Sequence, residues 1–308
     1  MSRQAVINLV VLALALAAPF VGYPVFLMKM LCFALFACAF NLLLGFTGLL
    51  SFGHAVFLGS AGYAAGHAMK VWGFTPEIGL AFGAVVAAAI GAIIGALAIR
   101  RAGIYFAMIT LALAQMVYFI YLQAPFTGGE DGLQGVPRGN LFGLISLRDD
   151  LTLYYFVLAV FVFGFWLIQR TINSPFGQVL KAIRENEPRA LSLGYDVDKY
   201  KLVAFIISAG LSGLAGATKT LVLGFETLTD VHWHMSGEVV LMTLVGGLGT
   251  VWGPVVGAGL IVTLQNELAD KAGQWVTVIT GAIFVLCVLA FRRGIVGELA
   301  VLFKPRKP

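Results

Sequence analysis

The stretch IGLAFGAVVAAAIGAIIGALAI, residues 78–99, decides the class of fold. It contains no charged residue, and as an α-helix it would rise about 33 Å, enough to cross the ~30 Å hydrocarbon core of a bilayer. The rest of the chain has the same character, since 60% of its 308 residues are hydrophobic and 11% are charged. Soluble domains carry about a quarter charged residues, so the composition predicts a membrane protein.

Further apolar stretches qualify as candidate spans, although several are shorter than the ~20 residues of a full crossing. They lie at residues 5–27, 30–47, 52–69, 103–124, 151–169, 201–222, 238–252, 254–269 and 274–291. We therefore predict an all-α membrane protein, a polytopic bundle of about eight to ten transmembrane helices that forms one domain over residues 1–308. The N-terminus also resembles a signal peptide, but the apolar pattern continues to Leu27, which favours an uncleaved first span.

The basic residues predict the orientation, because Lys and Arg are enriched in the cytoplasmic loops of membrane proteins. With a cytoplasmic N-terminus and about ten spans, the inner side receives Arg3, Arg100, Arg101, the basic residues of segment 170–201, Arg292, Arg293, Lys304, Arg306 and Lys307. The outer side receives only Lys29, Lys70, Arg138, Arg148 and Lys271. Lys219 falls within a span, and we expect its ammonium group to extend to the outer surface.

One polar segment, residues 170–201, interrupts the apolar chain and holds six of its 20 basic residues. Ser174 is a suitable N-cap and Pro175 suits the first helical position, so a helix is predicted to begin there. Pro188 should break this helix, and Gly194 should end a second short turn. The apolar face of the first helix comprises Val179, Leu180 and Ile183. Such a bent amphipathic unit either anchors the loop to the membrane surface or seats in the groove of a partner protein.

Two external loops are turn-rich and acidic, at about 125–150 and 224–237. They are interpreted either as a docking surface or as solvated connections. In the second loop His232 and His234 flank Trp233, an arrangement more typical of an interfacial aromatic cluster than of a metal site.

Two Gly-interrupted apolar stretches, at 45–62 and 246–259, suggest an internal duplication. Paired interruptions of this kind often mark broken helices that line a transport path. The alternative is that small residues simply ease close helix crossings.

The sequence contains no GxxxxGK[ST], HExxH or CxxC pattern, the motifs of nucleotide-phosphate binding, zinc-protease and paired-cysteine sites. We therefore predict a protein that is not an enzyme and holds no metal or cofactor. The net charge of +5 arises beside apolar spans, so nucleic-acid binding is not expected. The long spans also lack a central carboxylate, which argues against ion coupling and for an external energy source.

A set of motifs then makes a family resemblance specific. The motifs are NLLLGFTGLLSFGHAVFLG at 41–59, TGGEDGL at 127–133, SPFG at 174–177, AIRENE at 182–187 and GGLGT at 246–250. Together they resemble the signature of the branched-chain amino acid ABC transporter permeases, in particular the LivM-type subunit. The resemblance runs through residues 41–259, which is most of the chain.

The resemblance implies a type II-like importer fold and a multi-subunit assembly in the bacterial inner membrane, surrounded by membrane lipid. The implied partners are a second, LivH-type permease subunit, two cytoplasmic ATPase subunits that bind the ATP, and a periplasmic substrate-binding protein. The implied cargo is a branched-chain or related amino acid. Urea or short amides remain alternative substrates within the family, and an ion-coupled secondary transporter and an intramembrane enzyme remain alternatives outside it.

The resemblance also assigns site residues. A translocation path would involve Asn41, Gly45, Thr47, Gly48, Ser51, Gly53, His54, Gly246, Gly247 and Gly249. Coupling to the ATPases would involve Phe176, Gly177, Arg184, Glu185, Glu187, Ala190 and Gly194. Docking of the binding protein would involve Thr127, Gly128, Gly129, Glu130, Asp131, Glu226 and Asp230. The coupling loop departs from the family pattern, because Pro188 and Arg189 follow Glu187 and the spacing to Gly194 is one residue longer.

Overall fold

The computed structural model describes residues 11–20, 22–290 and 294–302. The helices are α1 (Val11–Phe20), α2 (Pro24–Thr47), α3 (Ala55–Lys70), α4 (Pro76–Ala98), α5 (Ile104–Gln123), α6 (Asp150–Asn173), α7 (Pro175–Glu185), α8 (Glu187–Ser192), α9 (Val197–Leu223), α10 (Trp233–Gly246), α11 (Gly253–Ala272), α12 (Val276–Ala290) and α13 (Gly294–Leu302). Two short strands, β1 (Asn140–Leu141) and β2 (Ile145–Ser146), pair antiparallel between α5 and α6. The predicted start of the first span, and the basic residues Arg3, Arg292, Arg293, Lys304, Arg306 and Lys307, lie outside the described residues.

Within the described residues, five helices are long and apolar enough to cross a membrane, namely α2, α4, α5, α6 and α9. The other predicted spans fall on the shorter helices α1, α3, α10 and α12 and on α11, whose last turns carry charged residues. The chain is thus an all-α, multi-pass membrane protein.

Helices α2 and α9 form the centre of the bundle. Every residue from Leu31 to Leu43 of α2 is buried, because this helix is apolar around its whole circumference and has neighbours on all sides. Helix α9 packs against α2, α3 and α4. Small residues allow this close approach, and a Cβ atom at Gly216 of α9 would collide with the carbonyl oxygen of Leu58 in α3.

The two short helices α3 and α10 begin side by side in the interior and run in opposite directions. Their starts are joined where the Ala55 backbone N–H donates to Ser236 Oγ at 2.9 Å. Helix α3 ends at Lys70, whose Nζ donates to the carbonyl oxygen of Gln134 in the external loop at 2.7 Å. Helix α10 ends at the opposite side of the bundle, beside α2 and α13.

The basic residues that were predicted to lie on opposite sides of the membrane lie at opposite ends of the bundle. The C-terminal part of α4 packs at Gly95 against Leu202 and Phe205 near the start of α9, so Arg100 and Arg101 share an end with α7 and α8. We call this the α7 end. The opposite end, the hairpin end, carries Lys70 and the loop with β1 and β2.

The predicted helix interruptions are confirmed. Residues 48–54 separate α2 from α3, and residues 247–252 separate α10 from α11. A third interruption, residues 224–232, lies between α9 and α10. This segment reaches back into the bundle and packs on α3 at Gly59, where an added Cβ atom would contact Asp230 and Val231.

Replacing Gly216 by Ala should destabilise the fold, since the new methyl group would overlap the Leu58 carbonyl. We expect a loss of about 1–3 kcal/mol, the usual cost of overpacking, seen as a lower thermal unfolding midpoint of the purified protein in detergent. Gly237→Ala in α10 is the matched control, because no atom lies within 4 Å of a Cβ at that position. Equal midpoints for the two variants would contradict this account of the α3–α9 contact.

Candidate functional site

The polar segment 170–201 folds as the sequence predicts. Ser174 caps α7, its Oγ accepting from the Gly177 backbone N–H at 3.3 Å, and Pro175 occupies the first helical position. The bend lies at Asn186, whose extended backbone separates α7 from α8 and whose Oδ1 accepts from Arg189 N–H at 3.0 Å. Pro188 then lies in the first turn of α8, and Gly194 follows the helix with a φ of 86°.

Arg184 points from α7 towards its own chain. Its guanidinium donates to the Gly45 carbonyl oxygen in the last turns of α2. The same side chain lies against Gly48, the left-handed cap of α2, and against Gly249 in the turn between α10 and α11. Beside it, Lys181 Nζ lies 5.8 Å from the centroid of the Phe46 ring. Helix α7 is therefore seated on the end of α2 through two cationic side chains.

Several predicted ATPase-contact residues instead hold α7 and α8 on the bundle. Glu187 forms an ion pair with Lys201 at 2.6 Å, and the Lys201 side chain is almost fully buried. Phe176 stacks on Tyr200 with ring centroids 5.5 Å apart. Gly177 and Ala190 are buried, so the prediction that they touch a partner is wrong for these two residues.

The surface that α7 and α8 present outward is partly apolar. Glu185 and Gly194 are exposed, as expected of contact residues. Leu191 and Leu193 are 56% and 68% exposed, and the sequence reasoning missed both. The signal was present in the run RALSLGY, where apolar residues follow a charged one in a segment too short to bury them.

Asn41 joins the two interrupted segments that the sequence analysis paired. Its Nδ2 donates to the Thr250 carbonyl oxygen at 2.8 Å, and its Oδ1 accepts from the Gly249 N–H at 3.0 Å. Gly45 lies against the same turn, and Gly246 packs directly on Gly253. The glycines of 246–249 thus allow the α10–α11 turn to lie against the end of α2.

His54 lies in the interior of the bundle at the start of α3. Its Nε2 is 2.9 Å from Ser208 Oγ of α9, and its ring packs against Phe40, Phe57 and Phe205. Gly53 beside it rests on the Thr110 carbonyl oxygen of α5.

The predicted path side chains do not line an open channel in this conformation. Asn41, Thr47, Ser51 and His54 are all buried within the chain. Thr47 Oγ1 donates to the Leu42 carbonyl oxygen at 3.3 Å, and Ser51 Oγ accepts from the Gly53 N–H at 3.4 Å. Thr47 and Ser51 thus bond within their own segment, whereas Asn41 and His54 join the broken helices to neighbouring segments.

A buried charge cluster lies towards the hairpin end, where the third interruption meets α9. Lys219 Nζ is 2.5 Å from Asp230 Oδ2 and 3.8 Å from Glu226 Oε2. Thr220 Oγ1 donates to Glu226 Oε2 at 2.5 Å, and Thr227 Oγ1 donates to Asp230 Oδ2 at 3.0 Å. All three charged side chains are at most 6% exposed.

This cluster corrects three sequence predictions. Lys219 does not extend to the outer surface, because it ends in an internal ion pair. Glu226 and Asp230 cannot serve binding-protein docking, since their carboxylates are buried against Lys219. The prediction that the long spans lack a central carboxylate is not contradicted, because Glu226 and Asp230 enter the bundle from the loop between α9 and α10.

Most of the predicted docking residues of the first external loop are exposed. Thr127 is buried, its Oγ1 donating to the Tyr121 carbonyl oxygen at 2.6 Å, so it is removed from the predicted docking set. Gly128, Glu130 and Asp131 are exposed, and Gly129 is partly so. Backbone hydrogen bonds of 2.9 Å between Leu133 and Glu226 hold this loop against the second one.

The predicted aromatic-histidine cluster is confirmed. The His232 and His234 rings stack with centroids 5.1 Å apart, and Trp233 stacks on His234 at 4.1 Å. His232 also meets Tyr118 of α5 edge-on at 5.1 Å. Burial and the neighbouring His234 lower the pKa of His232, which favours a neutral ring in this stack.

Comparison with known proteins gives a family. A family model described as "Branched-chain amino acid transport system / permease component" matches residues 22–288. The chain is 26% identical to the high-affinity branched-chain amino acid transport system permease protein LivM of Salmonella typhimurium, over 95% of this chain and 75% of that protein. The same protein of Escherichia coli gives the same figures. The autoinducer 2 import system permease protein LsrC of Salmonella choleraesuis is 28% identical over 54% of this chain and 49% of its own length. No solved structure gave a significant match.

Lys219→Met should strongly destabilise the protein, because it leaves two buried carboxylates without their cation. Breaking a buried pair from one side costs about 3–5 kcal/mol, so we expect little folded protein in detergent and a lowered unfolding midpoint. Adding Asp230→Asn should recover part of the loss by removing one uncompensated charge.

Lys271→Met is the matched control, since that side chain is 77% exposed in its pair with Glu267. It should change stability by less than about 0.5 kcal/mol. An unfolding midpoint for Lys219→Met equal to that of the control would contradict the buried cluster.

Proposed function

Because this chain belongs to the family of branched-chain amino acid transport permeases, we propose that it is the LivM-type subunit of an ATP-driven importer. It would carry branched-chain or related amino acids across the bacterial inner membrane. Its partners would be a LivH-type permease, two cytoplasmic ATPases that bind the ATP, and a periplasmic binding protein. The α7 end would then face the cytoplasm, in agreement with its basic residues.

The contact of Arg184 with Gly45 and Gly249 carries the coupling proposal. One side chain of α7 reaches both the end of α2 and the turn between α10 and α11, which are the interrupted segments. A displacement of α7 by an ATPase would therefore be passed directly to both. Arg184 acts in this scheme as a positioning residue inside the permease and not as a contact to the ATPase.

The outward face of α7 and α8 supplies the proposed ATPase contact. It combines the exposed Leu191 and Leu193 with the charged Glu185 and Arg189. Apolar side chains rimmed by charges suit a helix that seats in a partner's groove. Gly194 ends this face, and its positive φ turns the chain back towards α9.

The translocation path remains a proposal for residues 41–54 and 246–249. These segments are closed in the described conformation, and each includes part of an interruption, at residues 48–54 or 247–252. Interrupted helices need fewer hydrogen bonds exchanged to change shape, so they are suitable gates. Movement of α7 would open them by shifting the turn that Asn41 holds.

Two alternatives to an ATP-driven amino acid importer remain, one with a different cargo and one with a different energy source. Urea or short amides are distinguished from leucine by competition in an uptake assay. An ion-coupled carrier is favoured by the buried Glu226 and Asp230, because such carriers use buried acids. Lys219 already pairs with both carboxylates, which leaves neither free to bind a coupling ion. Ion coupling would be supported if this chain alone accumulated leucine without nucleotide.

Arg184→Gln should separate ATP hydrolysis from uptake in the reconstituted complex. Loss of a hydrogen bond from a charged group costs about 1.5–3 kcal/mol, so we expect transport per ATP hydrolysed to fall roughly tenfold or more while hydrolysis continues. Arg101→Gln is the control at the same end of the bundle, because this residue is exposed after α4 and lies outside the face proposed to contact the ATPase. An unchanged transport-to-hydrolysis ratio in the Arg184 variant would remove this contact from the mechanism.

Reversing the charges at Glu130 and Asp131 to Lys should weaken binding-protein docking. Rim charges act mainly on association rate, so we expect a slower rate and a smaller salt dependence in a binding-protein titration. Asp198→Lys, at the opposite end of the bundle, should leave the association rate unchanged. Equal rates for the two variants would exclude this edge as the docking surface.

A further inference from the structure

A polar cavity of about 450 Å³ lies at the α7 end of helix α6. It is lined by Trp166, Gln169, Arg170, Asn173, Ser174 and Pro175. Trp166 is 54% exposed, and a Trp beside an Arg is typical of the boundary between the hydrocarbon core and water. The cavity therefore lies at the level of lipid headgroups.

An apolar groove continues from this cavity along α6 and shares Trp166 and Gln169 with it. Its volume is about 190 Å³, and it runs from Leu158 to Gln169 between α1 and α6. Tyr154 holds α1 in place by donating to the Ala15 carbonyl oxygen at 2.6 Å. The helical rise over these residues is about 16 Å, close to the ~15 Å hydrocarbon depth of one leaflet.

Two polar groups at the junction lack partners among the described residues. Gln169 Nε2 is buried and donates no hydrogen bond there. Arg170 forms none of the ion pairs found in the described part of the chain. A buried amide donor without an acceptor is costly, so the Gln169 amide favours an acceptor in the cavity. Arg170 is exposed beside it, and its guanidinium forms strong hydrogen bonds with an anionic acceptor.

We propose that the cavity and groove together bind one anionic phospholipid of the bilayer. Its phosphate accepts from the Arg170 guanidinium and the Gln169 amide, and one acyl chain fills the groove between α1 and α6. Arginine suits this role because its planar guanidinium matches phosphate oxygens in pairs. The site is independent of the coupling scheme, since it requires only that the chain lies in a membrane.

The test is native mass spectrometry of the purified full-length chain after exchange into detergent with phosphatidylglycerol or phosphatidylcholine of equal acyl chains. The wild type should retain phosphatidylglycerol preferentially. Arg170→Gln should lower that retention about fivefold, the factor that corresponds to about 1 kcal/mol for one basic residue at an anionic surface. Arg101→Gln is the matched control, because it is exposed at the same end and outside the cavity.

Two further arms test the two halves of the site. Val162→Trp places a bulky ring in the groove and should reduce retention, and its full retention would overturn the acyl-chain assignment. Inorganic phosphate at millimolar concentration should not displace the lipid, and displacement would identify a free-phosphate site instead. Equal loss from the Arg170 and Arg101 variants, or equal retention of both lipids by the wild type, would overturn the proposal.

Discussion

Backbone groups that leave the helical ladder inside a membrane must find partners within the protein, and this constraint shapes the structure. Each of the three interruptions has such a partner. Asn41 satisfies both a donor and an acceptor of the α10–α11 turn. Ser236 accepts from the backbone at the start of α3, and Ser51 from the N–H of Gly53. These polar side chains explain why an apolar bundle can contain broken helices at all.

The third interruption uses charge for the same purpose. Lys219 comes from the continuous helix α9, and Glu226 and Asp230 come from the segment that turns back into the bundle. A buried ion pair often contributes little net stability, because desolvation offsets much of the attraction. The pair does disfavour an incorrectly placed loop, because such a loop would leave the charges unpaired. The bridge between Leu133 and Glu226 extends this constraint to the outer loop, so the edge proposed for docking is positioned by the buried cluster.

The sequence predicted features that depend on local chemistry and missed those that depend on packing. The cap at Ser174 and the bend before Pro188 follow from single residues, and the structure has both. Hydropathy predicted the apolar spans, and among the described residues five of them are helices long enough to cross a membrane. The destination of Lys219 could not be predicted, because its partners are brought to it by a loop whose path back into the bundle has no local signature. His54 was assigned to the translocation path by resemblance, and in the structure it is fully buried. Its burial could not be predicted, because it depends on which helices surround the residue. Arg184 is exposed, as the periodicity of α7 predicts, but periodicity does not show that its guanidinium reaches the Gly45 carbonyl.

The glycines around Arg184 determine the geometry of its contact with the end of α2. Gly48 adopts a left-handed backbone with a φ of 80°, and Gly249 one with a φ of 72°, so both turns need glycine for conformational reasons. The same absence of side chains opens the space into which Arg184 extends. A bulkier residue at either turn would strain the backbone and displace the guanidinium from the Gly45 carbonyl. The conformation of these two turns and the position of the Arg184 side chain therefore depend on each other. A movement of α7 would displace the turns, and a change in either turn would displace α7.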